Sequence, residues 1–242
     1  MSRFWPTVAL VAGVLITAAC GHSDKADGDA TTALPLCADV HTDSGAPPDC
    51  RLVSRDHAGL TFVVRHRVPT PTSGAYTQKA DVTIEVTGRD GAVRQTLSES
   101  GTQTFGEPQL ANLADDNRDQ LVVPLWIGAN GNATLAVYRA TDADPDFVRA
   151  GEIGGLFGVN RSTNGYVVGS SKSGPADKYI DFWRFDGAKL VGVAGIIQTY
   201  TADGSSTCKA NDEGNHQNSG MTDDEVAQKF CAEKYTRAEP VH

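Results

Sequence analysis

Apolar and polar positions alternate in short runs along most of the chain. Residues 81–87 read Asp-Val-Thr-Ile-Glu-Val-Thr, which places Val82, Ile84 and Val86 on one face of an extended strand. The next four residues, Arg89-Asp90-Gly91-Ala92, suit a tight hairpin turn because glycine takes positive φ at no steric cost. Residues 93–97 are then the returning strand. Upstream, residues 60–68 form a β-branched and aromatic run that stops at Pro69. The same design recurs twice. Residues 133–139 lead through an Asp/Pro turn to residues 147–149, and residues 179–185 lead through Asp186-Gly187 to residues 189–193. These two runs share an aromatic–arginine pair, Tyr138-Arg139 and Trp183-Arg184. Hairpins that start about 50 residues apart have the spacing of propeller blades or related β-repeats. Three are too few to close a propeller, which takes about four to eight blades. The pattern therefore predicts a mainly β protein of repeated antiparallel hairpins, built as a propeller-like stack, an open curved sheet or a sandwich.

The period changes near the C-terminus. Thr222-Asp223-Asp224-Glu225 is a capping box, with acidic residues at the positive end of the helix dipole. Val226, Ala227, Phe230 and Cys231 follow as one apolar stripe. The expected helix covers residues 223–235, with Cys231 on its inner face.

The N-terminus has a different character. Arg3 is followed by an apolar run over residues 4–19, interrupted at Pro6, Thr7, Gly13 and Thr17. One positive charge, a short apolar core and small residues at its end are the parts of a secretory signal, and the run is short for a membrane-spanning helix. It ends Thr17-Ala18-Ala19-Cys20, which resembles the lipobox of bacterial lipoproteins, a family that prefers leucine where Thr17 stands. The resemblance implies cleavage of residues 1–19, diacylglycerol on the Cys20 thiol and a palmitate-type lipid anchor in the cell membrane, with the protein on the extracytoplasmic face. The competing reading is a secreted soluble protein whose cut site happens to hold a cysteine. Residues 20–36 are small, polar and charged, and are expected to form a flexible tether. Residues 37–242 are then the β-rich extracytoplasmic domain.

Cysteine count and charge sharpen this reading. The chain has five cysteines. Acylation of Cys20 leaves Cys37, Cys50, Cys208 and Cys231, an even set in a compartment where disulfides persist. Four cysteines allow three pairings, and proximity favours 37–50 and 208–231. The formal charge is −9, and loss of Arg3 with the leader makes it one unit more negative. An acidic protein repels phosphate backbones, so no nucleic-acid partner is expected. Membrane attachment would come from acyl chains, not from a basic patch.

The most specific internal motif runs over residues 112–123, Asn-Leu-Ala-Asp-Asp-Asn-Arg-Asp-Gln-Leu-Val-Val. It resembles one FG-GAP (VCBS-like) repeat, in which an acidic loop of the form D-x-[DN]-x-D-G-x-x-[DE] binds calcium ahead of an apolar blade strand. The resemblance implies Asn112, Asp115, Asp116 and Asp119 as candidate ligands of a structural calcium ion, with Asp116 foremost. Ala114 offers no side-chain oxygen and Gln120 no charge, so the loop also reads as a polar turn that keeps the family's backbone without its ion. Asn117 stands where glycine is usual and tolerates the left-handed turn.

No GxSxG, HExxH, CxxC or GxxxxGK[ST] motif is present. Gly169-Ser170-Ser171-Lys172-Ser173-Gly174 lacks the S-x-x-K spacing and reads as a hairpin loop. Gly154-Gly155 reads as part of a turn between repeats. Asp56 and His57 are adjacent and diverge on a strand. His66, between two arginines at a strand end, is expected to face solvent. His41 lies in a Pro/Gly-rich loop, and Asp212, Glu213 and His216 form at most a weak metal cluster in another. These observations predict a lipid-anchored cell-envelope lipoprotein with a non-enzymatic binding or structural role, and a protein or glycan as its partner. The alternatives are a secreted hydrolase of envelope polymers, an inhibitor of one, or a calcium-stabilised adhesion module. A face built from Trp126, Tyr138, Trp183 and Phe185 would mark recognition.

Overall fold

The computed structural model describes residues 34–40, 47–68, 79–103, 106–114, 116–142, 145–155, 158–212 and 219–238. Within them the strands follow one another as three antiparallel meanders. The first comprises β1 (Cys50–Val53), β2 (Thr61–Arg67), β3 (Lys79–Thr87) and β4 (Val93–Gln103), in that spatial order. The second comprises β5 (Gln109–Ala111), β6 (Gln120–Ile127), β7 (Ala133–Arg139) and β8 (Val148–Gly155). The third comprises β9 (Asn160–Ser162), β10 (Val167–Lys172), β11 (Asp177–Asp186) and β12 (Lys189–Tyr200). Each meander passes from its first strand to its second through a left-handed residue: Gly59, Asn117 and Gly165. Asn117 is the one non-glycine residue with positive φ among those described. The fold is mainly β, in open stacked sheets.

The stacking follows from which faces are apolar. Val82, Ile84 and Val86 point inward with Phe62, Val64 and Leu97, and meet Leu121, Val123, Ala136 and Tyr138 of the second sheet. Phe62 and Phe147 close this layer edge to face, their ring centres 5.2 Å apart. The opposite face of the second sheet sends Val122, Leu135, Val137 and Ile153 against Val167 and Trp183 of the third. The middle sheet is thus buried on both sides. This explains why β6 and β7 are near-continuous apolar runs and do not alternate.

Sheets two and three approach closely where glycines allow it. A Cβ on Gly169 would collide with the carbonyl oxygen of Gly154 and lie 2.7 Å from Cγ2 of Ile153. Two expectations are corrected here. Gly169 to Lys172 belong to β10 and are not a hairpin loop; the turn comes after them. Gly154 and Gly155 end β8 and are not a turn. Sheet packing requires Gly169, and a Cβ on Gly155 would lie 2.8 Å from the Gly158 carbonyl oxygen, whereas Gly154 has open space where a Cβ would go.

The third sheet is extended at both edges and covered on its outer face. Strand β13 (Ser206–Ala210) pairs with β12, and β14 (Tyr235–Arg237) pairs with β9. Helix α1 (Asp223–Phe230) lays Val226 and Phe230 on Val168, Ile180, Phe182, Ala194 and Ile196. The capping box forms as expected, with Thr222 accepting from the Glu225 N–H and Glu225 accepting from the Thr222 N–H. The helix ends at Phe230 and does not reach residue 235. Cys231 is its C-cap and is bonded to Cys208, and the chain then turns to pair with the otherwise open edge of β9. A short apolar helix face therefore closes one end of the stack, as terminal units do in repeat proteins.

Candidate functional site

The loop between β5 and β6 carries the acidic motif. Asn117 has φ +55°, the left-handed conformation expected of that position. The Asp116 carboxylate accepts from the Arg118 N–H at 3.1 Å and from Nη2 of Arg139 at 2.7 Å. Asp119 accepts from the Ser54 hydroxyl at 2.7 Å and the Arg55 N–H at 3.0 Å, both in the first sheet's turn. Gln120 is fully buried; its Oε1 accepts from the Leu113 N–H at 2.6 Å and its Nε2 donates to the Arg118 carbonyl at 2.8 Å. Asn112 follows β5, and Asp115 lies outside the described residues.

Arg118 is the centre of this region. It is 6% exposed, and its guanidinium donates to Asp56 at 3.2 Å and Asp142 at 3.0 Å. Asp56 also accepts from the backbone N–H groups of Asp119 and Ala58. Burial alone would raise the Asp56 carboxyl. Hydrogen bonds from Ser54, Asp119 and Ala58, with the Arg118 charge, outweigh burial and hold it below the usual carboxylate range. His57 is exposed, its Nε2 3.6 Å from Asp142. Asp56 and His57 therefore diverge, one inward to Arg118 and one outward.

Calcium takes about six to eight oxygen ligands around one point. Asp116 and Asp119 are turned onto different protein donors, Arg139 in the same sheet and Ser54–Arg55 in the first. Among the described residues, no three His, Cys, Asp or Glu side chains converge. A bound ion would have to share these carboxylates with Arg139 and Ser54 or displace them.

A second polar cluster was not expected. The His66 ring is buried, which corrects its expected exposure. The side chain alternates inward with Phe62 and Val64 on β2, opposite Val82. Its Nε2 is 3.8 Å from Oε2 of Glu107, and its Nδ1 has no hydrogen-bond partner among the described residues. Burial pushes the Glu107 carboxyl up to about 7. Burial also lowers the His66 pKa, against the opposing charge of Asp49. Both groups thus favour their neutral forms. Oε2 of Glu107 lies 3.8 Å from Sγ of Cys50, which is bonded to Cys37. A disulfide sulfur has no proton, so only a protonated Glu107 could donate across that gap.

The remaining candidates separate. Cys37–Cys50 and Cys208–Cys231 are disulfides, with Cα atoms 4.9 and 5.9 Å apart. Cys20, His41, Glu213 and His216 lie outside the described residues, and Asp212 is exposed. The four aromatic residues do not share a face. Trp126 is 49% exposed, whereas Tyr138 and Trp183 are buried and Phe185 lies under the Arg139 guanidinium.

Fold and cysteine pairing together define a disulfide-bridged protein of three stacked antiparallel sheets with a capping helix. No family model and no curated protein matches the chain. Among solved structures it is similar to one described as "Structure of a Xanthomonas Type IV Secretion System related protein", at 13% identity, covering 70% of this chain and 92% of that one, with a TM-score of 0.42. A likeness of that size carries no argument about function.

Proposed function

We propose that the protein is a lipid-anchored lipoprotein of the cell envelope, held on the extracytoplasmic face by acyl chains on Cys20. Its stacked-sheet body serves a non-enzymatic binding or structural role, with a protein or a glycan as partner. One observation carries this reading. The four cysteines of the body are consumed in two disulfides, and Cys20, at the end of the apolar leader, is the one left over. Paired thiols favour an oxidising compartment, and an odd thiol beside a cleavage-type sequence has a chemical purpose once it is acylated. Two or more acyl chains hold a protein to a bilayer far better than one.

Mass spectrometry of the N-terminal peptide, from protein extracted out of native membranes, tests the proposal. The expected product begins at Cys20 and carries a diacylglyceryl thioether. The leader still joined to Cys20, or a free thiol there, would overturn it. Cys20→Ser is expected to leave the body folded and release it from the membrane fraction.

A further inference from the structure

Between the start of α1 and the third sheet lies a cavity of about 220 Å³, lined by Tyr166, Arg184, Val191, Val193, Met221 and Lys229 among others. Its position follows from the strand period. Ile180 and Phe182 face α1, and Arg184 is the next residue on that side of β11. A bulge at Val193 opposite Phe182 and Trp183 loosens the neighbouring strand at the same level. Lys229 reaches in from the last turn of the helix, with Nζ 5.8 Å from the centre of the Tyr166 ring.

The charges of this cavity run against those of the protein. The chain is acidic, with formal charge −9, yet among the described residues the charged ones lining the cavity are two cations. Neither Arg184 nor Lys229 is paired with a carboxylate among the described residues. Glu225 stands one turn before Lys229, where an i,i+4 partner would be, but its carboxylate is engaged by the N–H and hydroxyl of Thr222. The walls beside the cations are carbon: Val191, Val193, Met221 and the Tyr166 ring.

We propose that this cavity binds an organic monocarboxylate, the carboxylate lying between Arg184 and Lys229 and its carbon body lying against Val191, Val193 and Met221. The planar fork of arginine matches a carboxylate in two parallel hydrogen bonds, and lysine adds a second positive charge. The acidic field of the whole molecule disfavours a multiply charged anion more than a singly charged one. An apolar wall rewards a ligand with a body over a bare ion. The cavity is smaller than the roughly 300–1,000 Å³ of drug-sized sites, so the ligand is compact, about one sugar ring at most.

The chain contains two methionines, Met1 and Met221, so methyl-labelled methionine places a reporter in the cavity wall. Full-length protein in detergent would be titrated with D-glucuronate, D-glucose, acetate and inorganic phosphate, and the Met221 methyl signal followed by NMR. Glucuronate is expected to shift it saturably with a millimolar midpoint. Glucose should leave it in place, and acetate and phosphate should need about tenfold more. Arg184→Gln and Lys229→Gln should each weaken glucuronate about tenfold or more while changing the melting temperature little, since both side chains are exposed. Arg184→Lys, which keeps the charge and loses the fork, should fall between. A Met221 signal that ignores glucuronate overturns the proposal. So does one that answers glucose equally, acetate or phosphate at the same midpoint, or glucuronate unchanged in both glutamine variants.

Discussion

The side-chain amide of Gln95 pairs with both backbone groups of Phe147. Its Nε2 donates to the Phe147 carbonyl at 2.8 Å, and its Oε1 accepts the Phe147 N–H at 2.8 Å. Gln95 lies on β4 and Phe147 leads into β8, so one amide ties the first sheet to the second. Asn132 repeats the arrangement one sheet further on, donating to the Lys172 carbonyl at 2.8 Å and accepting its N–H at 2.9 Å. Sheets packed face to face share apolar contacts but few directional ones. These clasps fix how far each sheet can slide on the next.

Removing a clasp strands two backbone groups at a partly buried seam. Gln95→Ala is expected to lower stability by about 1–3 kcal/mol, measured by urea unfolding. Gln95→Glu tests geometry against volume. It can still accept from the Phe147 N–H but cannot donate to the carbonyl when ionised, so it should lose stability as well. A glutamate variant as stable as wild type would mean that the side chain acts only by filling space.

Gly169 gives a sharper test of the second seam. A methyl group there meets the Gly154 carbonyl and Ile153, so Gly169→Ala must push sheets two and three apart. The expected loss is about 2 kcal/mol or more, with overpacking as the cause. Gly174, five residues on in the following turn, has open space where a Cβ would go, and Gly174→Ala should be nearly neutral. Equal unfolding midpoints for the two variants would contradict close packing at Gly169.

Much of this architecture is legible in the sequence because period-two alternation is local. It places Val82, Ile84 and Val86, and it places His66 with Phe62 and Val64; two flanking arginines obscured the latter. The start of α1 is legible because a capping box spans four residues. Its end is not, because the chain turns there to pair with an edge strand about seventy residues upstream. β10 was hidden by its composition: Gly169, Ser170 and Ser171 look like a loop until a second sheet lies against them. The Arg118–Asp56 pair joins residues 62 apart in sequence, and no local pattern announces it.

The Glu107–His66 pair should make stability depend on pH in a readable way. Glu107 has an ordinary value of 4.5 and is raised to about 7 in the folded chain. Between those limits the folded state holds a proton that the unfolded state has lost, so this contribution falls as pH rises through the window and is flat above it. His66 acts in the opposite sense. Its ring is held below 6.5 by burial, and its contribution grows as pH rises towards that value. Glu107→Gln removes only the first effect. The stability of wild type relative to the variant is expected to decline by up to about 3 kcal/mol from pH 4.5 to pH 7, read from urea midpoints across that range. A difference that does not change with pH would mean the Glu107 carboxyl is solvated.

The acidic loop offers the last test, because its Asp116 carboxylate is already paired with an arginine. Arg139 donates to Asp116 and to the Gly187 carbonyl while its guanidinium lies 4.3 Å from the centre of the Phe185 ring, which fastens the loop to the third sheet. Its side chain is 13% exposed, so the Asp116 pair is better shielded than a surface ion pair. Arg139→Gln would leave Asp116 without its counter-charge and is expected to cost about 2 kcal/mol. If arginine is the counter-ion, EDTA should leave the wild-type melting temperature unchanged. The glutamine variant, with Asp116 released, should regain part of its stability on adding calcium. A wild-type melting temperature that drops in chelator and recovers with calcium would show instead that a metal ion shares Asp116 with Arg139.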